Sequence, residues 1–182
     1  MANPEEMYRC QTVNCGYIYD PEGVSREKLE FVKMLKNVRR GRIKEYAEKY
    51  PAAEYVALDS GMDHNPLWDN KAHCAFPSAT ENEINGLDAQ NLVQNGVKVV
   101  AEGANMPTTP EGIDVFLDQG VLFGPSKAAN AGGVSVSGLE MTQNSMRLPW
   151  SREEVDNRLK DIMTNIHATC QQYGTHDGFI NY

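Results

Sequence analysis

Two stretches of this 182-residue chain concentrate amides and small residues where a ligand could be held. The first is Ala101-Glu102-Gly103-Ala104-Asn105-Met106-Pro107-Thr108-Thr109. The second begins 18 residues after Thr109 and reads Lys127-Ala128-Ala129-Asn130-Ala131-Gly132-Gly133-Val134-Ser135-Val136-Ser137-Gly138. Each follows an apolar run, 97–100 and 121–123. In an open α/β sheet the ligand lies beyond the carboxyl ends of the strands, where small residues let the backbone approach it closely. A carboxamide both donates and accepts hydrogen bonds, so Asn105 and Asn130 at such loop tips suit a flat, polar ligand. Thr80 adds a hydroxyl in a third loop; read alone it is an ordinary turn residue. Asn105 alone is a loop residue that tolerates unusual dihedrals, and Ser137 alone is a small helix residue.

The elements that must position these residues alternate along the chain. Ser25 can cap a helix carrying Leu29, Val32 and Leu35 on one face, and 42–49 continues as a second helical piece stopped by Pro51. Strands are expected at 55–58 and 72–76, a short helix over 88–94 closed by Asn95-Gly96, and a buried strand at 97–101. Thr109 and Pro110 open the next helix, Gly120 ends it, and 121–123 is a strand. A helix then runs from Gly132-Gly133 to about Met146. Ser151-x-x-Glu154 is a capping box before a long helix with Val155, Leu159, Ile162, Met163 and Ile166 inward. Such alternation predicts an α/β fold, a mainly parallel sheet with flanking helices.

Composition narrows the function. The net charge of −8 argues against nucleic acid or an anionic membrane as partner. No apolar run reaches the roughly 18 residues of a membrane span, and the N-terminus lacks a signal-like core, so a cytoplasmic location is expected. The cysteines (Cys10, Cys15, Cys74, Cys170) are scattered, which suggests reduced thiols. Ten of the 17 lysines and arginines fall between Arg9 and Lys49. Interleaved Glu27, Glu30, Glu45 and Glu48 allow a solvated helix face; Lys36 and Arg42 also allow a local phosphate site.

The two ligand-type stretches, with Gly16-Tyr17-Ile18-Tyr19-Asp20-Pro21-Glu22-Gly23, Ala79-Thr80-Glu81-Asn82-Glu83 and Ser137-Gly138-Leu139-Glu140-Met141-Thr142-Gln143-Asn144-Ser145, closely resemble the coenzyme domain of glutamate dehydrogenase, from about Gly16 to about Gly174. The resemblance implies an oxidoreductase of amino-acid and nitrogen metabolism that interconverts L-glutamate with 2-oxoglutarate and ammonia. It implies NADP as coenzyme, with NAD as the alternative, and a homohexameric whole enzyme. It further implies that Lys36 and Arg42 lie near the 2′-phosphate, Thr80 near ribose and pyrophosphate, and Asn105 at the nicotinamide ribose. Asn130 would touch both substrate and nicotinamide, Val134 the substrate chain, and Ser137 the distal carboxylate of glutamate. Gly132 and Gly133 would let the helix start approach the ligand.

The family's Gly-rich turn and its catalytic lysine and aspartate have no counterpart here, and only residues 1–15 precede the Gly-Tyr-Ile-Tyr-Asp block. The expectation is an incomplete Rossmann-like domain over 16–182, shortened at both ends, behind an unrelated or altered segment 1–15. No catalytic residue is expected within it, and the isolated chain is expected to be inactive. The competing class is a non-catalytic nucleotide-binding or association module. Where the family usually has Asp-Ile-Ala-Leu-Pro-Cys-Ala-Thr-Gln-Asn-Glu, this chain has His73-Cys74-Ala75-Phe76-Pro77-Ser78-Ala79-Thr80-Glu81-Asn82-Glu83, so a glutamine has become Glu81. Residues 7–22 also look like the opening of rubredoxin, but an iron site needs Cys-x-x-Cys knuckles and the spacing here is Cys-x4-Cys. His73 and Cys74, adjacent on a strand, point to opposite faces, so no metal is expected there either.

Overall fold

A computed structural model describes residues 8–9, 16–58, 62–176 and 179–180. Cys10 and Cys15 therefore lie outside the described residues. Two three-stranded sheets organise the fold. The first is antiparallel, β1 (Tyr8–Arg9), β2 (Gly16–Tyr19) and β3 (Glu54–Ala57), with β2 in the middle. The second is parallel and ordered β4 (Cys74–Ala75), β5 (Val99–Ala101) and β6 (Leu122–Gly124).

Alternation along β2 joins the parts. Tyr17 and Tyr19 pack with the core of the parallel sheet, around Leu67, Trp68, Leu92, Val100, Phe116 and Phe123. Ile18, on the other face, packs with Val32, Ile43 and Tyr46. Those residues come from α1 (Arg26–Lys33), capped by Ser25 as expected, from the loop before α2, and from α2 (Lys44–Lys49). The sequence pattern placed Leu29 on the inner face of α1, but it is exposed, while Val32 and Leu35 are buried. After Lys33 the helix widens into a π turn over Met34–Val38, which changes the facing of side chains about the junction. Arg42 precedes α2 rather than starting it.

Buried Asp20 pins this half. Its carboxylate accepts from Lys28 Nζ at 2.8 Å, from the Tyr46 hydroxyl and from the Glu22 N–H. Burial pushes the Asp20 carboxyl up, but the bonds from Lys28, Tyr46 and Glu22 outweigh it and hold the group below its ordinary value of 3.8. The folded value is the lower one, so this stabilisation is complete above the unfolded value and is lost as pH falls through the folded one. Asp20→Asn should therefore cost stability at neutral pH, and the deficit should shrink well below pH 3.8, where wild type loses the same term on passing through its lowered folded value. Urea midpoints at both pH values measure this; an equal deficit at both would contradict it.

Helices α3 (Gly86–Gln94) and α4 (Pro110–Asp118) cover the parallel sheet. Thr109 caps α4, and Gly96 and Gly120 take the positive φ that ends each helix. A capping box between Asn85 and Asp88 starts α3 two residues before its expected start. Burial raises the Asp88 carboxyl, opposed by the N–H groups of Asn85 and Asn65.

A four-residue turn, α5 (Ser126–Ala129), leads to α6 (Ala131–Met146) and α7 (Arg152–Gly174), and β7 (Thr175–His176) pairs with β8 (Phe179–Ile180). The Ser151/Glu154 capping box is formed, and the connection turns through Arg147 in the left-handed region at φ 56°. Val155, Leu159, Ile162, Met163 and Ile166 share one stripe of α7, but each is only half-buried. Among the described residues, Ala131 is the one fully buried position of α6 and Gly174 that of α7.

Candidate functional site

Three loops leave the carboxyl ends of β4, β5 and β6, and two buried glutamates shape them. In the first loop the Glu83 carboxylate accepts from the N–H groups of Ala79 (2.9 Å) and Thr80 (3.3 Å). That closes the turn and leaves Thr80 and Glu81 outside. In the second, Glu102 is 3% exposed and divides its oxygens between loops, taking the Thr108 N–H at 3.2 Å and the Ser126 N–H at 2.7 Å. A buried carboxylate that spans two backbone donors fixes the spacing of the segments they belong to.

Direct contacts tighten the arrangement. The Gly103 N–H donates to the Pro77 carbonyl at 2.8 Å, and a Cβ on Gly103 would stand 2.2 Å from Ser78 Oγ. Asn82 N–H donates to the Met106 carbonyl at 3.0 Å, and both residues have positive φ, 52° and 45°. Asparagine tolerates that conformation; at Met106 it is strained and is held by the paired loops.

Against this frame stand the residues singled out from the sequence. Thr80, Asn105 and Asn130 are brought together at the sheet's carboxyl edge. Asn105 Nδ2 donates to Glu81 Oε1 at 3.0 Å, and Asn130 Nδ2 donates to the Ala104 carbonyl at 2.6 Å. Val134 and Ser137 follow Asn130 at helical spacing on one face of α6, and Val134 is 72% exposed. The Ser137 hydroxyl donates back to the Gly133 carbonyl at 3.4 Å. Gly133 opens onto free space, whereas a Cβ on Gly132 would face Met163 and Leu159 of α7. The missing side chain of Gly132 is thus on the α7 side of the helix, and that of Gly133 on the open side.

Lys36 and Arg42 form a separate group, beside the antiparallel sheet. Lys36 Nζ donates to the Gly41 carbonyl at 3.3 Å, next to Arg42, whose N–H is held by Glu45. Arg42 is exposed.

Sequence reasoning missed Glu83 and Glu102 as organisers. For Glu102 the available signal was an acidic residue following a buried strand among small residues; for Glu83, in the loop before α3, the sequence carried none, and the inward direction of both is a property of the fold.

The profile of the Glutamate/Leucine/Phenylalanine/Valine dehydrogenase family matches residues 10–179. The chain belongs to this family. It is 59% identical over 168 residues to a glutamate dehydrogenase of Bacteroides thetaiotaomicron, covering 92% of this chain and 36% of that relative. It is 52% identical to the NADP-specific glutamate dehydrogenase of Haemophilus influenzae and 48% identical to the NAD-specific one of Bacteroides fragilis, with the same coverage of this chain, 92%, and of each relative, 36%. The crystal structure of Plasmodium falciparum glutamate dehydrogenase superposes with a TM-score of 0.76 at 43% identity, over 90% of this chain and 34% of that one. The chain thus spans about a third of the length of these dehydrogenases. Among the described residues no helix is long and apolar enough to cross a membrane.

Gly138, also facing open space on α6, gives a prediction for this helix. Gly138→Ala should raise the unfolding free energy by about 0.5–1 kcal/mol, because glycine in a helix interior costs that much in backbone freedom. Thermal unfolding checks it; a destabilised variant would show that the face is covered.

Proposed function

We propose that this chain supplies the coenzyme-facing part of an NADP-dependent glutamate dehydrogenase, with NAD as the alternative coenzyme. The observation that carries the reading is the set Thr80, Asn105 and Asn130 on three loops at the carboxyl edge of one parallel sheet, where such folds take their ligands. The residues fit a dinucleotide: exposed hydroxyl and amide groups flank an open helix face at Gly133. Thr80 and Asn105 would hold the ribose region, and Lys36 with Arg42 the 2′-phosphate. Asn130, Val134 and Ser137 would hold glutamate or 2-oxoglutarate along α6. A bound nicotinamide supplies the hydride-accepting carbon, and these side chains bind and orient. Residues 16–182 form the bulk of the coenzyme-binding portion, and Tyr8 and Arg9 of the leading segment 1–15 pair with its strand β2. The whole enzyme is assigned to the cytoplasm, as a homohexamer.

Titration of the isotope-labelled chain with NADP, NAD and glutamate tests the reading by amide resonance shifts. Shifts are expected at Thr80, Asn105 and Asn130 with a Kd on the order of millimolar, since no Gly-rich turn holds the pyrophosphate. NADP should bind more tightly than NAD, and Lys36→Ala with Arg42→Ala should erase the difference. Glutamate and NADP together should yield no reduced coenzyme with this chain alone, because these groups orient ligands and none is placed as a general base. Dinucleotide shifts confined to other surfaces would overturn the assignment.

A further inference from the structure

The two carboxamides at the loop tips have defined polarity. A carboxylate and a peptide carbonyl can only accept hydrogen bonds, so the atoms of Asn105 and Asn130 that face Glu81 and Ala104 must be their nitrogens. Each amide has therefore spent a donor on the protein, and each carbonyl oxygen is turned away from its partner. Glu81 adds an exposed negative charge beside them, next to Thr80. Each amide keeps its carbonyl oxygen and a second N–H, and Glu81 makes the loop edge anionic. That edge matches ligand groups that donate, such as vicinal hydroxyls and a primary amide, and opposes phosphate oxygens.

We infer that Glu81 is a specificity-determining residue of this site: it holds the Asn105 carboxamide with its oxygen outward and repels phosphate from the loop between β4 and α3. The inference rests on the coenzyme-binding reading above and extends it to a residue that reading does not use. Glutamine at 81 would keep the acceptor for Asn105 and remove the charge. Alanine would remove both and free the amide to rotate. The charge and the orientation are therefore separable.

The test compares wild type, Glu81→Gln and Glu81→Ala, with NADP and NAD as probes and labelled protein. Removing one exposed negative charge near a phosphate should tighten NADP binding about 3- to 10-fold at low salt for Glu81→Gln. The gain should fade toward about 0.5 M salt, where exposed charges are screened. Glu81→Ala should bind a few-fold more weakly than Glu81→Gln. In the ligand-free protein the Asn105 side-chain amide resonances should stay near their wild-type positions in Glu81→Gln and move in Glu81→Ala. Unchanged affinity in Glu81→Gln, with both proteins binding at Thr80 and Asn105, overturns the inference and leaves the coenzyme reading intact. A gain that persists at high salt also overturns it, since charge would not be its cause. If neither protein binds either dinucleotide at about 10 mM, the coenzyme reading fails and this inference with it.

Discussion

Glu102→Ala is expected to lower the unfolding free energy by about 3–5 kcal/mol. The side chain is buried, and its oxygens take the N–H groups of Thr108 and Ser126 from loops that no single strand holds. Truncation leaves both donors without partners, at about 1–3 kcal/mol each, and adds a cavity at the end of β5. Glu102→Gln keeps one acceptor oxygen and sets an amide against the other N–H, so it should lose about half as much. Urea unfolding of the three proteins, with buried Trp68 as the fluorescent probe, gives the comparison. An alanine variant within about 1 kcal/mol of wild type would mean that water or a shifted backbone satisfies both donors.

The second large effect is expected at Gly16. A Cβ there would lie 1.9 Å from the Val56 carbonyl oxygen and 2.8 Å from the Tyr55 ring. The first obstacle is backbone in the partner strand, and it cannot rotate away as a side chain can. Gly16→Ala should therefore separate β2 from β3 near this pair and cost about 3 kcal/mol or more, at the upper end of what overpacking does. Because Tyr17 and Ile18 anchor both clusters from this strand, the loss should appear as a lowered midpoint for the whole chain. Circular dichroism melts follow it. A variant that melts with wild type would place residue 16 outside the β2–β3 pairing.

Local chemistry was legible in the sequence and long-range pairing was not. Ser25, Thr109 and Ser151 were read as caps because a cap is decided by a hydroxyl and an N–H a few residues apart. The strands 97–101 and 121–123 were found as apolar runs, and their parallel pairing followed from the helix between them. The antiparallel pairing of Gly16–Tyr19 with Glu54–Ala57 was not foreseen, since it joins segments separated by two helices and its alternation is only four residues long. Leu29 was misplaced although it lies within the regular turns of α1: helical spacing put it beside Val32, and only Val32 is covered by the packing of β2 and α2. At the site, Thr80, Asn105, Asn130, Val134 and Ser137 came from the resemblance, and their loops and helix face from apolar runs and helical spacing. Glu83 and Glu102 were silent because a glutamate that folds inward has the same sequence signature as one that faces water.

The shallow burial of α6 and α7 has a kinetic meaning. A helix pair with one fully buried position each is held mainly by its own half-buried seam and by α5. Such a pair can detach while the sheet beneath stays folded, as a sub-global opening of low free energy. Val134 and Ser137 would then belong to a surface that exists for only part of the time. Any molecule that recognises the α6 face together with the loop amides would meet an apparent affinity scaled down by the fraction of molecules docked. Slow amide exchange in β5 beside fast exchange along α6 would be the signature of that division, with a ligand drawing the two rates together.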